Sequence, residues 1–189
     1  MPRLFAGLEI PEAQRERLRR LRGDLAGARW VEPDNFHLTL RFFGDVDGPT
    51  ADAIVDHLAD IEAAPVTLQL SGLGVFGHRK PRAVWARATP SPELTALHQA
   101  SERAARRAGL EPERRKFKAH VTLARLKSGK PRAVAAYLEA VADFETAPFP
   151  VERLALFSAR PGRGGAPYVV EQTFALAGAN SKNSETAGS

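Results

Sequence analysis

Cysteine is absent from this chain of 189 residues, and methionine occurs once. Without cysteine there are no disulfides and no thiolate metal sites, and a reducing compartment is the expected home. Aromatic residues make up only 7% of the chain, so any that falls beside a chemical motif carries information. No apolar run approaches the roughly 20 residues that a membrane-spanning helix requires. The opening Met1-Pro2-Arg3-Leu4-Phe5-Ala6-Gly7-Leu8 lacks the apolar stretch and cleavage site of a secretory leader and reads directly as a strand. These absences predict a soluble cytoplasmic protein with no membrane partner. The sequence does have 43% apolar residues, enough for a sizeable core, and 27 basic against 22 acidic residues. The resulting +5 suits an anionic partner such as RNA.

Periodicity predicts an α+β chain. Arg3 to Ile10 reads as a strand, and Pro11 opens a helix carrying Leu18, Leu21 and Leu25. Ala28 to Glu32 and Asn35 to Phe43 read as strands, and Gly48 to Ile61 as a helix. Val66 to Phe76 and Ala83 to Ala88 make two more strands around the basic loop Gly77-His78-Arg79-Lys80-Pro81. Ser91 is an N-cap, Pro92 takes the first helical position, and Gly109 closes that helix. A strand over Lys116 to Leu126, a helix over Pro131 to Val141, and a hairpin of Pro150 to Ala159 with Ala166 to Leu176 complete the pattern. The order helix, His-bearing strand, helix, two strands therefore occurs twice. The predicted architecture is one bilobal domain over residues 1–178, with two mainly antiparallel sheets, outer helices and an approximate two-fold axis. Residues 179–189 read as a tail.

Two tetrads sit at equivalent places in the repeat: His37-Leu38-Thr39-Leu40 and His120-Val121-Thr122-Leu123. Side chains alternate along a strand. Phe36, Leu38, Leu40 and Phe42 should therefore share a core face, opposite His37, Thr39 and Arg41. In the second strand Phe117, Ala119, Val121 and Leu123 should oppose Lys118, His120 and Thr122. Each strand thus presents a histidine, a threonine and a cation on one surface, which suits a phosphate. Histidine, with an ordinary pKa of about 6.5, serves as acid or base near neutrality. Two of them can activate water and protonate a departing oxygen, while threonine hydroxyls donate to nonbridging oxygens. No cofactor and no metal are required by this chemistry.

Other candidates have plainer readings. His57 and His98 lie on helices and read as surface or boundary residues. His78 sits in a basic loop with Arg79, Lys80 and Arg82 that could grip RNA backbone. Trp85 and Phe76 read as core or, if exposed, as base-stacking platforms. Arg114-Arg115-Lys116 and the run from Lys127 to Arg132 read as solvated charge. Gly162, Gly164 and Gly165 lack the following helix of a phosphate-binding loop and read as a hairpin turn.

The phrases Phe36-His37-Leu38-Thr39-Leu40-Arg41-Phe42-Phe43-Gly44 and Phe117-Lys118-Ala119-His120-Val121-Thr122-Leu123-Ala124-Arg125 resemble the two-histidine phosphoesterase superfamily. Within it they are similar to the RNA 2′,3′-cyclic phosphodiesterases, also called 2′-5′ RNA ligases. The likeness runs from Arg3-Leu4-Phe5-Ala6 to Gly165-Ala166-Pro167-Tyr168. The resemblance implies a bilobal fold with both histidines facing a central cleft. It implies hydrolysis of a terminal 2′,3′-cyclic phosphate, on an RNA such as a tRNA fragment, to a 2′-phosphomonoester, together with the reverse ligation. His37 would donate a proton to the 3′-oxygen, His120 would activate water, and Thr39 and Thr122 would hold the phosphate, with Arg41 a further candidate. Arg125 matches an arginine that the family uses near the phosphate, yet strict alternation puts it on the wrong face unless the strand bulges. Relatives often have proline where this chain has Ala119. A monomer is expected. Two other readings fit the same residues: a phosphodiesterase of small cyclic nucleotides or 2′-5′ oligonucleotides, and a noncatalytic RNA-binding module.

Overall fold

The computed structural model describes residues 3–77, 79–159 and 168–177. The predicted tail and the glycine-rich turn at 162–165 lie outside them, as does His78. The strands are β1 (Arg3–Glu9), β2 (Ala28–Trp30), β3 (His37–Asp45), β4 (Val66–Leu68), β5 (Leu70–Phe76), β6 (Ala83–Ala88), β7 (His120–Leu126), β8 (Phe149–Val151), β9 (Arg153–Ala159) and β10 (Tyr168–Ala175). The helices are α1 (Glu12–Arg19), α2 (Gly48–Ala59), α3 (Pro92–Arg107) and α4 (Pro131–Ala140).

The repeat is tighter than its sequence wording suggests. A single offset of 83 residues carries β3 onto β7, α2 onto α4, β4 onto β8 and β5 onto β9 at their first residues. The pairing shows that each half properly begins one strand earlier than the sequence predicts. β1 pairs antiparallel with β3, and β6 pairs antiparallel with β7, residue for residue: Glu9 faces His37 as Arg87 faces His120, and Gly7 faces Thr39 as Trp85 faces Thr122. The third strands are exchanged. β5 crosses to pair with β6, while β9 returns to pair with β1 and carries β10 on its outer edge.

The two expected sheets are joined. They meet at one antiparallel pair, Leu38 with Val121, giving the strand order β10-β9-β1-β3-β7-β6-β5, with β2 beside β7. The short β4–β8 pair forms a separate two-stranded sheet. All four helices contribute to one apolar core: Leu18 from α1, Ile54 and Leu58 from α2, Leu94 and Leu97 from α3, and Val134 from α4 pack with Leu38, Leu40, Val121 and Leu123 of the central strands. This follows from the amphipathic spacing of the helices and the alternation of the strands. Side-chain caps start two helices, with Asp47 accepting from the Thr50 amide and Ser91 from the Leu94 amide.

Several predicted boundaries move. Helix α1 stops at Arg19 rather than continuing to Leu25, and the chain turns through Gly23 and Asp24 while Leu25 stays buried. The predicted strand from Lys116 begins only at His120, because the Lys118 carbonyl accepts from the His120 imidazole instead of joining a ladder. The predicted strands over 66–76 and 150–159 each break once, at Gln69 and Glu152. Among the described residues no helix is long and apolar enough to cross a membrane.

Candidate active site

The antiparallel Leu38–Val121 pair places the two tetrads side by side, on the sheet face opposite the main core. Leu38, Leu40, Val121 and Leu123 are buried, while His37, Thr39, His120 and Thr122 are half-buried on the open face. The alternation expected of these eight residues holds.

Both imidazoles are fixed in the same way. His37 Nδ1 lies 2.7 Å from the Asn35 carbonyl oxygen, and His120 Nδ1 lies 2.6 Å from that of Lys118. A carbonyl only accepts, so each Nδ1 carries the proton and donates it. That leaves Nε2 as the exchangeable nitrogen on each ring: a base when neutral, an acid when protonated. The Asn35 side chain also accepts from the Tyr168 amide at 3.1 Å, which ties β10 to the first histidine.

Aromatic rings frame each histidine. His37 contacts Phe5 (4.8 Å between centroids), Phe157 (5.5 Å) and, edge-on, Tyr168 (4.6 Å). His120 contacts Phe76 (5.0 Å) and Trp85 (5.7 Å). Phe76 and Phe157 are equivalent in the repeat, since each is paired on the strand beyond the histidine's neighbour. Trp85 is buried and Lys118 Nζ lies 5.2 Å from its ring, so it is a wall of the site and not an open stacking platform. Burial of the rings lowers the His37 pKa to about 4, with the neighbouring His120 and Arg125 pushing it the same way against the Asn35 hydrogen bond. Burial also lowers His120 below its usual value. At neutral pH both histidines are therefore neutral.

The two candidate arginines separate. In β7, Val84 pairs with Ala124 and Trp85 with Thr122, so Leu123 is a bulged residue without a partner. Alternation therefore flips after Leu123, and Arg125 emerges on the histidine face, exposed, with Nη2 3.4 Å from the Tyr168 hydroxyl. β3 bulges at the equivalent residue: Ala6 pairs with Arg41 and Gly7 with Thr39, leaving Leu40 unpaired. There the flip turns Arg41 away from the site. Arg41 is 7% exposed, sits 2.5 Å from Glu102 of α3 and 3.9 Å from Glu113, and donates to the carbonyls of Glu111 and Phe42. The expectation that Arg41 serves substrate is thus corrected: it bolts β3 to α3 and to the segment leading into β7. The residue equivalent to Arg125 is Phe42, which is 53% exposed.

His98 is likewise structural, stacked on Phe117 at 3.9 Å with Nδ1 donating to the Leu40 carbonyl that the bulge leaves free. Alternation did not find Asn35, Tyr168, Phe5 or Phe157, which come from loops and neighbouring strands, and it placed Lys118 on the histidine face without showing that its carbonyl fixes His120. Only the 83-residue offset, applied to Asn35 and Lys118, would have singled out that shared role. Among the described residues no group of three His, Cys, Asp or Glu side chains is placed to hold a metal ion.

Two neutral imidazoles with matched Nε2 atoms, two threonines and the exposed Arg125 guanidinium on a pseudo-symmetric sheet are the constellation of a two-histidine phosphoesterase. A family model described as LigT-like phosphoesterase matches residues 8–85 and 87–168, one tetrad in each segment, and the chain belongs to that family. It is 39% identical over 120 residues to a protein of Aeropyrum pernix named RNA 2′,3′-cyclic phosphodiesterase, covering 60% of this chain and 68% of that one. A protein of Aquifex aeolicus with the same name is 32% identical over 155 residues, covering 79% and 82%. The structure is similar to that of LigT of E. coli complexed with 3′-AMP, with a TM-score of 0.77 and 26% identity over 93% of this chain and 99% of the other.

Proposed function

We propose that this protein hydrolyses the 2′,3′-cyclic phosphate at the end of an RNA to a 2′-phosphomonoester, by proton transfer between its two histidines. The observation that carries this reading is the matched fixation of both rings, which leaves one exchangeable nitrogen on each side of a shared site. The names of the relatives and the phosphate ester in the LigT complex support the substrate class.

The steps balance as follows. His120 Nε2 accepts a proton from water as its oxygen attacks phosphorus. The bond from phosphorus to the 3′-oxygen breaks, and His37 Nε2–H protonates that oxygen. The phosphate remains on the 2′-oxygen. Thr39 and Thr122 hydroxyls and the Arg125 guanidinium donate to the nonbridging oxygens, where charge accumulates in the transition state. His37 must enter this cycle protonated. Burial and the neighbouring Arg125 guanidinium disfavour that charge, and the anionic phosphate of the substrate reverses the balance. With a 5′-hydroxyl in place of water, the same step makes a 2′-5′ ligation: His120 accepts the hydroxyl proton, the 5′-oxygen bonds to phosphorus, and the 3′-oxygen leaves with the proton from His37. The reaction uses no metal, and the protein acts as a cytoplasmic monomer.

The test is incubation of a short RNA ending in a 2′,3′-cyclic phosphate in excess chelator, followed by identification of the product. A 2′-phosphate is expected. A 3′-phosphate would reverse the roles of His37 and His120, and an intact cyclic end would refute the reading.

A further inference from the structure

The two rims of the site carry opposite charge where the repeat predicts likeness. Glu9 faces His37 across β1 and β3, and Arg87 faces His120 across β6 and β7. Directly paired residues share a sheet face. Ala86 and Val121, beside the second pair, are fully buried, so the exposed Arg87 points to the open side with His120. Asn35 and Lys118, related by the 83-residue offset, differ in the same sense. Asn35 is neutral, whereas Lys118 is an exposed cation whose Nζ is held 5.6 Å from the Phe76 ring centroid and 5.2 Å from that of Trp85. Among the described residues neither Arg87 nor Lys118 forms an ion pair. Beyond His37, by contrast, the neighbouring cavity sets Glu9, Glu12, Asp34 and Glu152 against Arg15 and Arg153.

Hydrolysis gives these two cations no task. Water is neutral, and the Lys118 charge beside His120 lowers its pKa and so weakens it as a base. An RNA 5′-hydroxyl that attacks in place of water is different, because its strand carries a phosphodiester one nucleotide further on. In-line displacement puts that strand on the His120 side of phosphorus, opposite the 3′-oxygen that departs toward His37. Arg87 stands one strand farther out than His120, about 4.8 Å away, on the path the attacking strand must take. We infer that Arg87 and Lys118 hold the first phosphodiester of the RNA strand whose 5′-hydroxyl is joined, and so form an acceptor-strand subsite. This assignment rests on the function proposed above, with its ligation step and its roles for the two histidines. The excess of carboxylates beyond His37 repels a polyanion, so the charge difference between the rims sets the direction from which the second strand enters.

Cleavage of a 2′-5′ bond is the joining step reversed: the 3′-hydroxyl attacks phosphorus and gives its proton to His37, and the 5′-oxygen leaves with a proton from His120. The experiment follows this cleavage in a trinucleotide with one 2′-5′ bond followed by one 3′-5′ bond. A second substrate carries a neutral methylphosphonate at the 3′-5′ linkage. Wild type, Arg87→Gln, Lys118→Gln and the double variant are compared by the ratio of kcat/KM on the two substrates, in which effects on the chemistry itself cancel. Wild type is expected to favour the charged substrate about tenfold, the double variant by less than about twofold, and the single variants between them. Wild type indifferent to the charge, or a preference that the double variant keeps, overturns the assignment. The same ratio for hydrolysis of a cyclic phosphate end whose upstream linkage is charged or neutral should be equal in wild type and double variant. Its loss in the double variant would place the cations on the strand that bears the cyclic phosphate and overturn the acceptor subsite. Should wild type open no cyclic phosphate, the proposed function falls. Equilibrium binding of the two trinucleotides to wild type reads the subsite whether or not they are cleaved, and equal affinities overturn it.

Discussion

Replacing Arg41 and Arg125 separately by methionine should give opposite phenotypes, although both follow a His-x-Thr tetrad closely. Arg41 is almost fully buried, and its removal leaves Glu102 and Glu113 without their cation and the carbonyls of Glu111 and Phe42 without a donor. Breaking a buried ion pair from one side costs about 3–5 kcal/mol. For a domain of this size each kcal/mol moves the melting temperature by about 2–4 °C, so Arg41→Met should melt about 6–20 °C lower. Arg125 is exposed, and among the described residues its side chain donates one hydrogen bond, to the Tyr168 hydroxyl at 3.4 Å. Its loss should leave stability within about 0.5 kcal/mol of wild type. Removing a preorganised donor to transition-state charge, however, costs about 10²–10³ in rate. Thermal melts and kcat/KM, measured well below the lower melting point, make the comparison. Arg41→Met should retain turnover per folded molecule, and Arg125→Met should lose it. An Arg41→Met protein with unchanged melting and lost turnover would refute the assignment of the two bulges.

Three further outcomes follow from the same site. Because His37 titrates near 4 when folded and near 6.5 when unfolded, the unfolded chain binds its proton first as pH falls; wild type should therefore lose about 3 kcal/mol between pH 6.5 and 4 that His37→Gln does not lose, read by urea unfolding at a series of pH values. Since burial lowers both histidines, kcat/KM should be bell-shaped in pH with its maximum below 6.5, and a maximum at or above 7.5 would contradict the depressed values. Turnover should be unchanged in excess EDTA; loss that a divalent ion restores would overturn a mechanism based on proton transfer alone.

Strand alternation was enough to place His37, Thr39, His120 and Thr122 on one face, because each tetrad is flanked by apolar residues that must be buried. It failed one residue past each tetrad. A bulge shifts phase without changing composition, so Arg41 reads as a site residue and Arg125 does not, the reverse of what the structure shows. The family resemblance supplied Arg125, and the bulge supplies the reason that it fits. The exchange of β5 and β9 between halves was not legible either, since hairpin strands of one pattern pair with whichever neighbour the long-range topology brings near. Asn35 and Lys118 act through main-chain carbonyls, which no side-chain pattern records.

The most direct measurement of the central claim pairs each histidine variant with a substrate whose leaving group needs no proton. His37→Ala and His120→Ala should each lose about 10²–10⁴ in kcat on an RNA end carrying the ordinary 2′,3′-cyclic phosphate. When sulfur replaces the 3′-oxygen, a thiolate departs without an acid, so His37→Ala should recover most of the wild-type rate while His120→Ala stays impaired. Recovery by His120→Ala alone would exchange the two roles, and full activity of either variant on the ordinary substrate would contradict acid–base catalysis by this pair.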